Sequence, residues 1–323
     1  MKFIDVDKDN QLFFATTEPP AIAADECLVT VKAIGINRAD LLQRAGHYPP
    51  PAGESDILGL EVCGEIALCG SGVSDWQVGD KVFGLVPGGG YSEYARVKAA
   101  QLFQLPAGFS YSQGAATAEV FLTAFQSLFS LAKLQANESV LIHAGASGVG
   151  TAAIILAKHY GCEVTVTAGS PEKLAACQAL GADHLINYRE QDFVQWKKAH
   201  KPGGFDVILD VVAGSYLNKN VSVAALDGRI VMLAMLGGRY SESLDVAKLL
   251  LKRLTLMAST LRNRSDDYKA ELVRDFNQVF GAALNQGDIK PVIDTIYNWQ
   301  DAELAHTRMA NCENIGKLVL TLN

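Results

Sequence analysis

The chain has 323 residues, of which 49% are hydrophobic and 20% are charged, and its net charge at pH 7 is −7. These proportions are typical of a folded globular protein, and the length favours two domains over one. The negative charge argues against a nucleic-acid-binding role, which needs concentrated positive charge. Apolar runs are too short to span a membrane, and Met1–Asp5 lacks the basic segment of a signal peptide. We therefore expect a cytoplasmic protein without membrane association.

The cysteines are scattered along the sequence without C-x-x-C spacing. Such a distribution is typical of reduced, structural thiols in a cytoplasmic protein, so we expect no disulfide framework. They are Cys27, Cys63, Cys69, Cys162, Cys177 and Cys312.

The first third of the chain predicts short strands in a mainly β unit. Apolar and polar residues alternate over 28–34 and 61–67, and glycines and prolines are frequent between these runs. The segment Trp76–Val82 is typical of a turn that leads into a strand. A helical pattern over Ser112–Leu134 then leads to the next part of the chain, with a domain boundary expected near Val120.

The most informative segment is residues 140–150. The apolar run Val140–Ile142 leads into a turn with Gly145, Gly148 and Gly150, and a helical pattern of small apolar residues follows over 152–158. A strand, a glycine-rich turn and a helix in this order bring free amides and the helix dipole to a phosphate. The pattern predicts a pyrophosphate site for a nucleotide cofactor. Its G-x-x-G-x-G spacing differs from the usual G-x-G-x-x-G, and a tight turn without a ligand is the alternative.

Apolar runs recur roughly every two dozen residues from this segment onward, with helical segments between them. This alternation is typical of a parallel sheet, and six strands fit one Rossmann domain. The runs lie at 140–142, 164–166, 185–186, 207–209, 230–233 and 254–257.

The pattern changes again after Leu256. Residues 267–284 are amphipathic with helical spacing, and Ile315–Leu320 predicts a final strand. We expect this tail to return to the first domain. The sequence thus predicts an α/β protein with a discontinuous, mainly β domain of residues 1–119 and 258–323. Residues 120–257 would form a Rossmann domain with a doubly wound parallel sheet.

The residues after the second strand of this domain bear on the choice of cofactor. NAD sites usually place Asp or Glu there to bind the ribose 2′-hydroxyl, whereas this chain has Ala168, Gly169 and Ser170. Lys173 offers a charge to a 2′-phosphate, and Tyr188 is expected to close over it. An exposed lysine and a packed tyrosine are the alternatives for these two residues. The missing acid favours NADP(H) over NAD(H).

Several motifs occur in the same order as in one known family, over nearly the whole chain. They are Asn37–Arg44, Ile57–Glu61, Pro87–Gly90, Leu122–Phe125, the glycine turn and Asn314–Lys317. In these motifs the chain resembles the zinc-independent, zeta-crystallin-like quinone oxidoreductases of the medium-chain dehydrogenase/reductase superfamily, and among them the p53-inducible subgroup. The resemblance implies a GroES-like catalytic domain and a Rossmann NADP-binding domain, with the family's active-site cleft between them.

The resemblance also implies a reaction without a metal. Zinc-dependent relatives have a metal-binding cysteine at the position of Asn37 and a histidine at the position of Leu60, and the zinc lobe of four cysteines is missing. We therefore expect no metal site. Without a Lewis acid, the acceptor must take up hydride readily and spread the resulting charge, as a quinone or an activated enone does.

Three residues are candidates for catalysis under the resemblance. Tyr48 matches a tyrosine at the mouth of the family's site, where it would orient the acceptor oxygen. With an ordinary phenol pKa of about 10 it would donate a proton only slowly, and a loop tyrosine held by prolines is the alternative. Asn37 would lie at the nicotinamide. Asp40, three residues later on a shared helical face, would either orient Asn37 or cap a backbone amide.

The resemblance assigns further residues to the cofactor. Gly145, Ala146, Ser147, Gly148, Val149 and Gly150 would hold the pyrophosphate, and Gly169, Ser170, Lys173 and Tyr188 the 2′-phosphate end. Asn37, Thr123, Met235, Leu236 and Lys317 would surround the nicotinamide.

These observations support three hypotheses for function. The first is an NADPH-dependent quinone oxidoreductase, in which hydride passes from the nicotinamide C4 to a quinone bound against Tyr48. The second is reduction of the double bond of an enone or alkenal, since both acceptors are flat and electrophilic. The third, a nucleotide-binding protein with a structural or RNA-binding role, is disfavoured by the acidic charge balance. Exposed sheet edges predict a homodimer. The resemblance implies the same, because members of that family generally form dimers or tetramers.

Overall fold

The computed structural model describes residues 1–322, and the chain divides into two compact units. Unit 1 is formed by Met1–Leu122 and by the residues from Leu261 onward, and unit 2 is Thr123–Thr260. The strands are β1 Lys2–Val6, β2 Leu12–Thr16, β3 Glu26–Ile36, β4 Glu61–Cys69, β5 Lys81–Leu85, β6 Tyr94–Lys98, β7 Leu102–Gln104, β8 Ser139–Ile142, β9 Glu163–Ala168, β10 His184–Asn187, β11 Phe205–Asp210, β12 Ala224–Met232, β13 Thr255–Ala258, β14 Ile293–Asn298 and β15 Lys317–Thr321. The α-helices are α1 Arg38–Arg44, α2 Tyr111–Ala115, α3 Ala118–Phe125, α4 Gly148–His159, α5 Pro171–Ala179, α6 Phe193–His200, α7 Tyr216–Val223, α8 Val246–Lys252, α9 Asp266–Gln286 and α10 Ala302–Ala310.

The main sheet of unit 1 joins distant parts of the sequence. Its spatial order is β14-β15-β3-β4-β5-β7, and β6 also pairs with β3. The long strand β3 is antiparallel to β4, β6 and β15, and its pairing with β15 sets Leu318 opposite Ile36. Inward-facing residues such as Val29, Ile34 and Leu320 are fully buried, which supplies the apolar free energy that holds the final strand in this sheet.

The sheet of unit 2 is fully parallel, in the order β10-β9-β8-β11-β12-β13. Parallel strands are covered on both faces, which explains the continuous apolar run of buried residues in β8 and β11. From β8 the chain runs outward to β10, then returns to β11 and continues to β13. The direction therefore reverses between β8 and β11, and such switch points are where doubly wound sheets bind ligands. The predicted α/β fold is confirmed.

The helical pattern predicted over 112–134 is interrupted. The structure has α2, then α3, and then a π-helical turn, Gln126–Leu131. The second helix begins where the carboxylate of Glu61 accepts the backbone amide of Glu119 at 2.9 Å. An acid at a helix amino terminus satisfies a free amide and favours a new start there. Because this acid comes from β4, the local sequence could not reveal the break.

The amphipathic segment of the tail forms one long helix, α9, which begins after the N-cap Ser265 and is followed by the C-cap Gly287 with φ +77°. Its apolar face is buried through Leu272, Val273, Phe276 and Phe280. Among residues 1–322, no helix combines the length and the apolar character needed to cross a membrane.

Candidate active site

The turn between β8 and α4 in unit 2 has the form of a phosphate-binding turn. The N-cap Ser147 accepts the amide of Gly150 at 3.0 Å, and α4 begins at Gly148. A Cβ on Gly150 would lie 2.4 Å from the carbonyl oxygen of Ala144, so a side chain does not fit there. Ala144 itself has φ +53°, a strained conformation for a residue with a side chain. The turn therefore directs the first free amides of α4 away from the helix, as anion binding requires.

A buried polar network fixes the strand ends beside this turn. His143 contacts the hydroxyl of Thr167 at 3.0 Å and the amide oxygen of Asn220 at 2.8 Å, and Asn220 donates to Asp210 at 2.9 Å. Burial lowers the pKa of His143, so the imidazole is neutral at pH 7. The network ties the carboxyl ends of β8, β9 and β11 together at the switch point. Sequence reasoning gave no role to Asp210 or Asn220.

The residues predicted for the 2′-phosphate end are brought together at the ends of β9 and β10. The amide of Tyr188 donates to the carbonyl of Ala168 at 3.2 Å, and a Cβ on Gly169 would lie 2.6 Å from the Tyr188 hydroxyl. Ser170 is the N-cap of α5, and its hydroxyl accepts the amide of Lys173 at 3.4 Å. The strand end carries no carboxylate, as the sequence indicates.

The first turn of α5 also carries an acid that the sequence reasoning did not weigh. Glu172 is exposed, and hydrogen bonds from its own backbone amide and from the Ser170 hydroxyl lower its pKa. It therefore places a negative charge in the same helical turn as Lys173, where it opposes the binding of a 2′-phosphate.

Three residues predicted for the nicotinamide lie in unit 2. The hydroxyl oxygen of Thr123 is buried and has no hydrogen-bond partner within residues 1–322. A buried hydroxyl of this kind costs about 1–3 kcal/mol, and a bound amide would satisfy it. Met235 and Leu236 are 62% and 57% exposed, and the amide of Leu236 donates to the carbonyl of Val211 at 3.3 Å, just after β11. These exposed apolar side chains thus lie at the switch point.

Unit 1 contains a buried cluster of charged side chains where β3, β4 and β15 meet. Lys317 begins β15 because Gly316, with φ +81°, turns the chain just before it. Its ammonium lies 2.7 Å from Glu61 and donates to the carbonyl of Ile36 at 2.5 Å and the amide oxygen of Asn37 at 2.7 Å. Lys317 and Glu61 are 2% and 0% exposed. All three ammonium protons are therefore used within unit 1.

Asn37 is held at both ends of its amide. Its nitrogen donates to Glu61 at 3.0 Å and to the carbonyl of Gly35 at 3.3 Å, and its oxygen accepts from Lys317. A Cβ on Gly35 would lie 2.4 Å from the Glu61 carboxylate, so this glycine makes room for the cluster. One lone pair on the Asn37 oxygen remains for a ligand.

Of the two roles considered for Asp40, the structure has the backbone cap. The amide of Asn37 donates to Asp40 at 2.7 Å. Asn37 is the extended N-cap of α1, with φ −129° and ψ 153°, and Asp40 is the third residue of this helix. Tyr91 donates to Asp40 at 3.3 Å and contacts His306 at 2.9 Å. Burial raises the pKa of Asp40 to about 6 and lowers that of His306 to about 3.

Tyr48 is half-buried in unit 1 and is held by Arg262. The guanidinium donates to the Tyr48 carbonyl at 3.2 Å and lies 5.5 Å from the centre of its ring. Burial raises the pKa of the phenol in spite of this cation, so Tyr48 is a poorer proton donor than a free tyrosine. Burial and the nearby Glu61 raise the pKa of Glu119 to about 8.

The sequence reasoning missed the chemistry of Glu61, Glu119, Arg262 and Lys269. Glu61 and Glu119 lie within apolar runs, which is the signal that marks a buried charge, whereas Arg262 and Lys269 stand among polar residues and carry no such signal. Cys27, Cys63, Cys69, Cys162 and Cys177 form no disulfide, and among residues 1–322 no three or more His, Cys, Asp or Glu side chains are grouped to hold a metal.

Family models match most of both units. Residues 23–107 match the alcohol dehydrogenase GroES-like domain, and residues 148–278 match the zinc-binding dehydrogenase family. The chain is 31% identical over 317 residues to the human (Homo sapiens) synaptic vesicle membrane protein VAT-1 homolog, covering 94% of this chain and 80% of that protein. The chain belongs to the medium-chain dehydrogenase/reductase superfamily. The GroES-like fold expected for the β unit of this superfamily member is thereby confirmed.

Other superfamily relatives extend well beyond the matched region. The zebrafish (Danio rerio) VAT-1 homolog is 32% identical over 315 residues, which are 94% of this chain and 65% of that protein. Polyketide synthase GfsB of Streptomyces halstedii is 32% identical over 296 residues, covering 91% of this chain and 5% of that protein. The chain thus spans less than two thirds of these two relatives.

Solved structures of the superfamily share the whole fold. Escherichia coli quinone oxidoreductase, complexed with NADPH, is 28% identical, with a TM-score of 0.87 and 99% of each chain covered. CurK enoyl reductase is 27% identical, with a TM-score of 0.86, and the match covers 100% of this chain and 99% of that one.

Proposed function

We propose that this chain is an NADPH-dependent quinone oxidoreductase of the zinc-independent, zeta-crystallin-like group, and of its p53-inducible subgroup. Residues 120–257 would bind NADP(H), and residues 1–119 and 258–323 would form the catalytic domain. The observation that carries the proposal is the glycine turn of unit 2 at the switch point of a doubly wound sheet. The likeness to a quinone oxidoreductase that was solved with NADPH supports both the cofactor and the acceptor.

In this proposal, residues of unit 2 contact each part of the dinucleotide. In this proposal the segment Gly145–Gly150 holds the pyrophosphate with backbone amides, and Lys173, with Gly169, Ser170 and Tyr188, holds the 2′-phosphate. The unpaired hydroxyl of Thr123 and the exposed side chains of Met235 and Leu236 are available to the nicotinamide. When bound, the cofactor supplies hydride from its C4 position.

In this proposal the residues of unit 1 orient the acceptor and the nicotinamide and exclude water from them. Tyr48 donates a hydrogen bond to the acceptor oxygen and orients the ring, while its raised pKa keeps the phenol protonated. Asn37 offers its remaining lone pair to the nicotinamide amide. Lys317 and Asp40 act through Asn37 as positioning residues, because Lys317 fixes its amide oxygen and Asp40 fixes its backbone. Protein partners use all three Lys317 protons, so direct contact with the cofactor would require one to be released.

A second candidate is reduction of the double bond of an enone or alkenal. The likeness to CurK enoyl reductase, at nearly the same identity and TM-score, favours this alternative. The same cofactor site and the same tyrosine would serve, since hydride addition to an enone also places negative charge on an oxygen.

The experiment that tests the proposal is anaerobic oxidation of NADPH and NADH by the metal-free protein, with 1,4-benzoquinone, 9,10-phenanthrenequinone and an unsaturated ketone as acceptors. We expect quinone turnover with a preference for NADPH. Turnover of the ketone alone would replace the proposal with the enone alternative, and turnover of neither acceptor would refute both.

Two substitutions in one helical turn test the cofactor assignment. Lys173→Ala should raise the KM for NADPH roughly tenfold and leave that for NADH nearly unchanged, because only NADPH carries the 2′-phosphate. Glu172→Gln should lower the KM for NADPH, since it removes the opposing charge. Equal effects on both cofactors would contradict the assignment.

We also propose a cytoplasmic homodimer. The outer edge of β13 has no pairing strand within residues 1–322, and the neighbouring helix α8 exposes Leu250 and Leu251 at 73% and 77%. An open edge beside apolar side chains favours symmetric pairing with a second copy. The buried thiols of Cys27, Cys63, Cys162 and Cys177, which form no disulfide, support a reducing compartment. Sedimentation of the wild type and of Leu251→Lys tests the dimer, which the charged variant should dissociate.

A further inference from the structure

A small pocket of unit 1 brings two basic side chains together in an apolar setting. It opens to solvent, has a cavity volume of about 10 Å³, which is room for about one water-sized group, and is lined by Leu60, Leu261, Glu119, Arg262 and Lys269. We call it the Arg262–Lys269 pocket. Arg262 and Lys269 are 6% and 5% exposed, which is unusual for cations that are not paired with an acid.

The guanidinium of Arg262 has one nitrogen to spare. Its Nε donates to the carbonyl of Pro87 at 2.8 Å and its Nη1 to the carbonyl of Tyr48 at 3.2 Å. Its Nη2 is buried and has no hydrogen-bond partner in the described part of the chain. An unpaired donor on a buried charged group is costly, so this nitrogen marks a place for an acceptor from outside the protein.

The ammonium of Lys269 is likewise unpaired. Within residues 1–322 no acid lies in ion-pair distance of it, although Asp266, Glu119 and Glu54 act on it from further away. Asp266 accepts a hydrogen bond from Gln101 at 3.0 Å, and Glu54 pairs with Arg96 at 2.8 Å. Asp266 and Glu54 are thus engaged elsewhere, and of the nearby acids only Glu119 lines the pocket with Lys269.

The third ionisable group of the pocket does not cancel these charges at neutral pH. Burial and the nearby carboxylate of Glu61 raise the pKa of Glu119 to about 8, so its side chain is mostly a neutral acid at pH 7. A protonated carboxyl donates a hydrogen bond. The pocket therefore offers donors from Glu119, Arg262 and Lys269 and no negative charge.

We propose that the Arg262–Lys269 pocket is a carboxylate-binding subsite. Resting on the proposed function, we infer that the acceptor carries a carboxylate that reaches this pocket while its ring lies at Tyr48. A free guanidinium nitrogen and an ammonium are donors that bind a carboxylate strongly, and the pocket is too small for a larger anion. Arg262 links the two places, because it lines the pocket and lies over the Tyr48 ring.

Binding of benzoate, with benzamide as its neutral counterpart, tests the subsite without any turnover. We expect calorimetry to show benzoate binding at least tenfold tighter than benzamide. Lys269→Met should weaken benzoate binding roughly 10- to 100-fold, the range of a charge-assisted hydrogen bond. This variant keeps the approximate length of the side chain and removes no side-chain hydrogen bond within residues 1–322. Lys269→Arg, which keeps the charge, should restore most of the affinity.

The matched control is Arg274→Met, which removes a charge from an exposed position of the same helix, α9. Its benzoate affinity should stay within twofold of the wild type. Equal benzoate binding by Lys269→Met and the wild type, or no benzoate binding at all, would refute the proposed subsite. The pocket would then be a site for water only.

Turnover separates the subsite from the proposed function. The acceptors are a naphthoquinone with a propionate side chain and its methyl ester, in which the carboxyl group is insulated from the ring. The acid should have at least a tenfold lower KM than the ester, and Lys269→Met should remove this difference. Reduction of acid and ester with equal KM would refute the subsite while the proposed function stands. Lys269-dependent benzoate binding without reduction of either quinone would refute the proposed function while the subsite stands.

Discussion

Replacing Lys317 with methionine should destabilise unit 1 severely. Lys317 is the cation of a cluster that also contains Glu61, Asp40 and Glu119, and its three hydrogen bonds are all buried. Removing one partner of such a pair leaves a buried charge uncompensated, which typically costs about 3–5 kcal/mol. For a unit of this size about 1 kcal/mol corresponds to 2–4 °C, so we expect Tm to fall by roughly 10 °C.

The assay is urea unfolding followed by tryptophan fluorescence in a Trp196→Phe background. Trp196 is the tryptophan of unit 2, so the remaining signal from Trp76 and Trp299 reports on unit 1. The free energy of unfolding of Lys317→Met is compared with that of the Trp196→Phe parent.

The control is a double-mutant cycle with Glu61→Gln, which removes the charge that Lys317 balances. The double variant should be less destabilised than the sum of the two single variants by at least ~2 kcal/mol, because neither buried charge remains. A cost below ~1 kcal/mol for Lys317→Met, or additive effects in the cycle, would refute the interpretation of the cluster as a coupled ion pair.

Three further predictions concern single side chains. Between pH 5 and 8 the wild type should lose stability relative to Glu119→Gln by up to about 1.4 kcal/mol per pH unit. The reason is that the raised pKa of Glu119 makes the folded state bind one more proton than the unfolded state in this range. Urea midpoints of the two proteins that change in parallel with pH would contradict this. Gly150→Ala should weaken binding of both NADPH and NADH in fluorescence titrations, because its Cβ meets the Ala144 carbonyl. Gly203→Ala, the control with open space around the new Cβ, should bind both cofactors normally. Unchanged binding by Gly150→Ala would show that the turn is not the pyrophosphate site. Lys269→Met should raise the urea midpoint, because it replaces a buried, unpaired charge with an apolar group, and a lower midpoint would indicate a partner for this lysine within the protein.

Much of unit 2 could be predicted from the spacing of apolar residues. Parallel strands are buried on both faces, so each of them leaves a short apolar run in the sequence, and the runs at 140–142 and 207–209 lie inside β8 and β11. The glycine turn could also be predicted, because its strand, turn and helix follow one another directly in the sequence. The order of the strands was not visible in the runs, because pairing depends on how the crossover helices pack.

The charged cluster of unit 1 could not be predicted from residues that are neighbours in the sequence. Lys317 and Asn37 are 280 residues apart, and only the pairing of β15 with β3 brings them into contact. The interruption of the helix near Thr117 has the same origin, since the acid that caps α3 comes from β4. The spacing of three residues between Asn37 and Asp40 does not reveal that Asn37 is the N-cap of α1, and this position is what lets Asp40 bind its backbone amide.

The sequence by itself determined the α/β class, the six apolar strands of unit 2 and the glycine turn at the start of α4, because each follows from residues that are neighbours along the chain. Tertiary structure alone decided which charges are buried and with which partners: the Lys317–Glu61 pair, the network around His143, and the unpaired donors of Arg262 and Lys269. The physical reason is that the free energy of a charge depends on its solvent exposure and on its distance from other charges. Strand pairing and packing set both quantities, and neither is encoded in the spacing of residues along the chain.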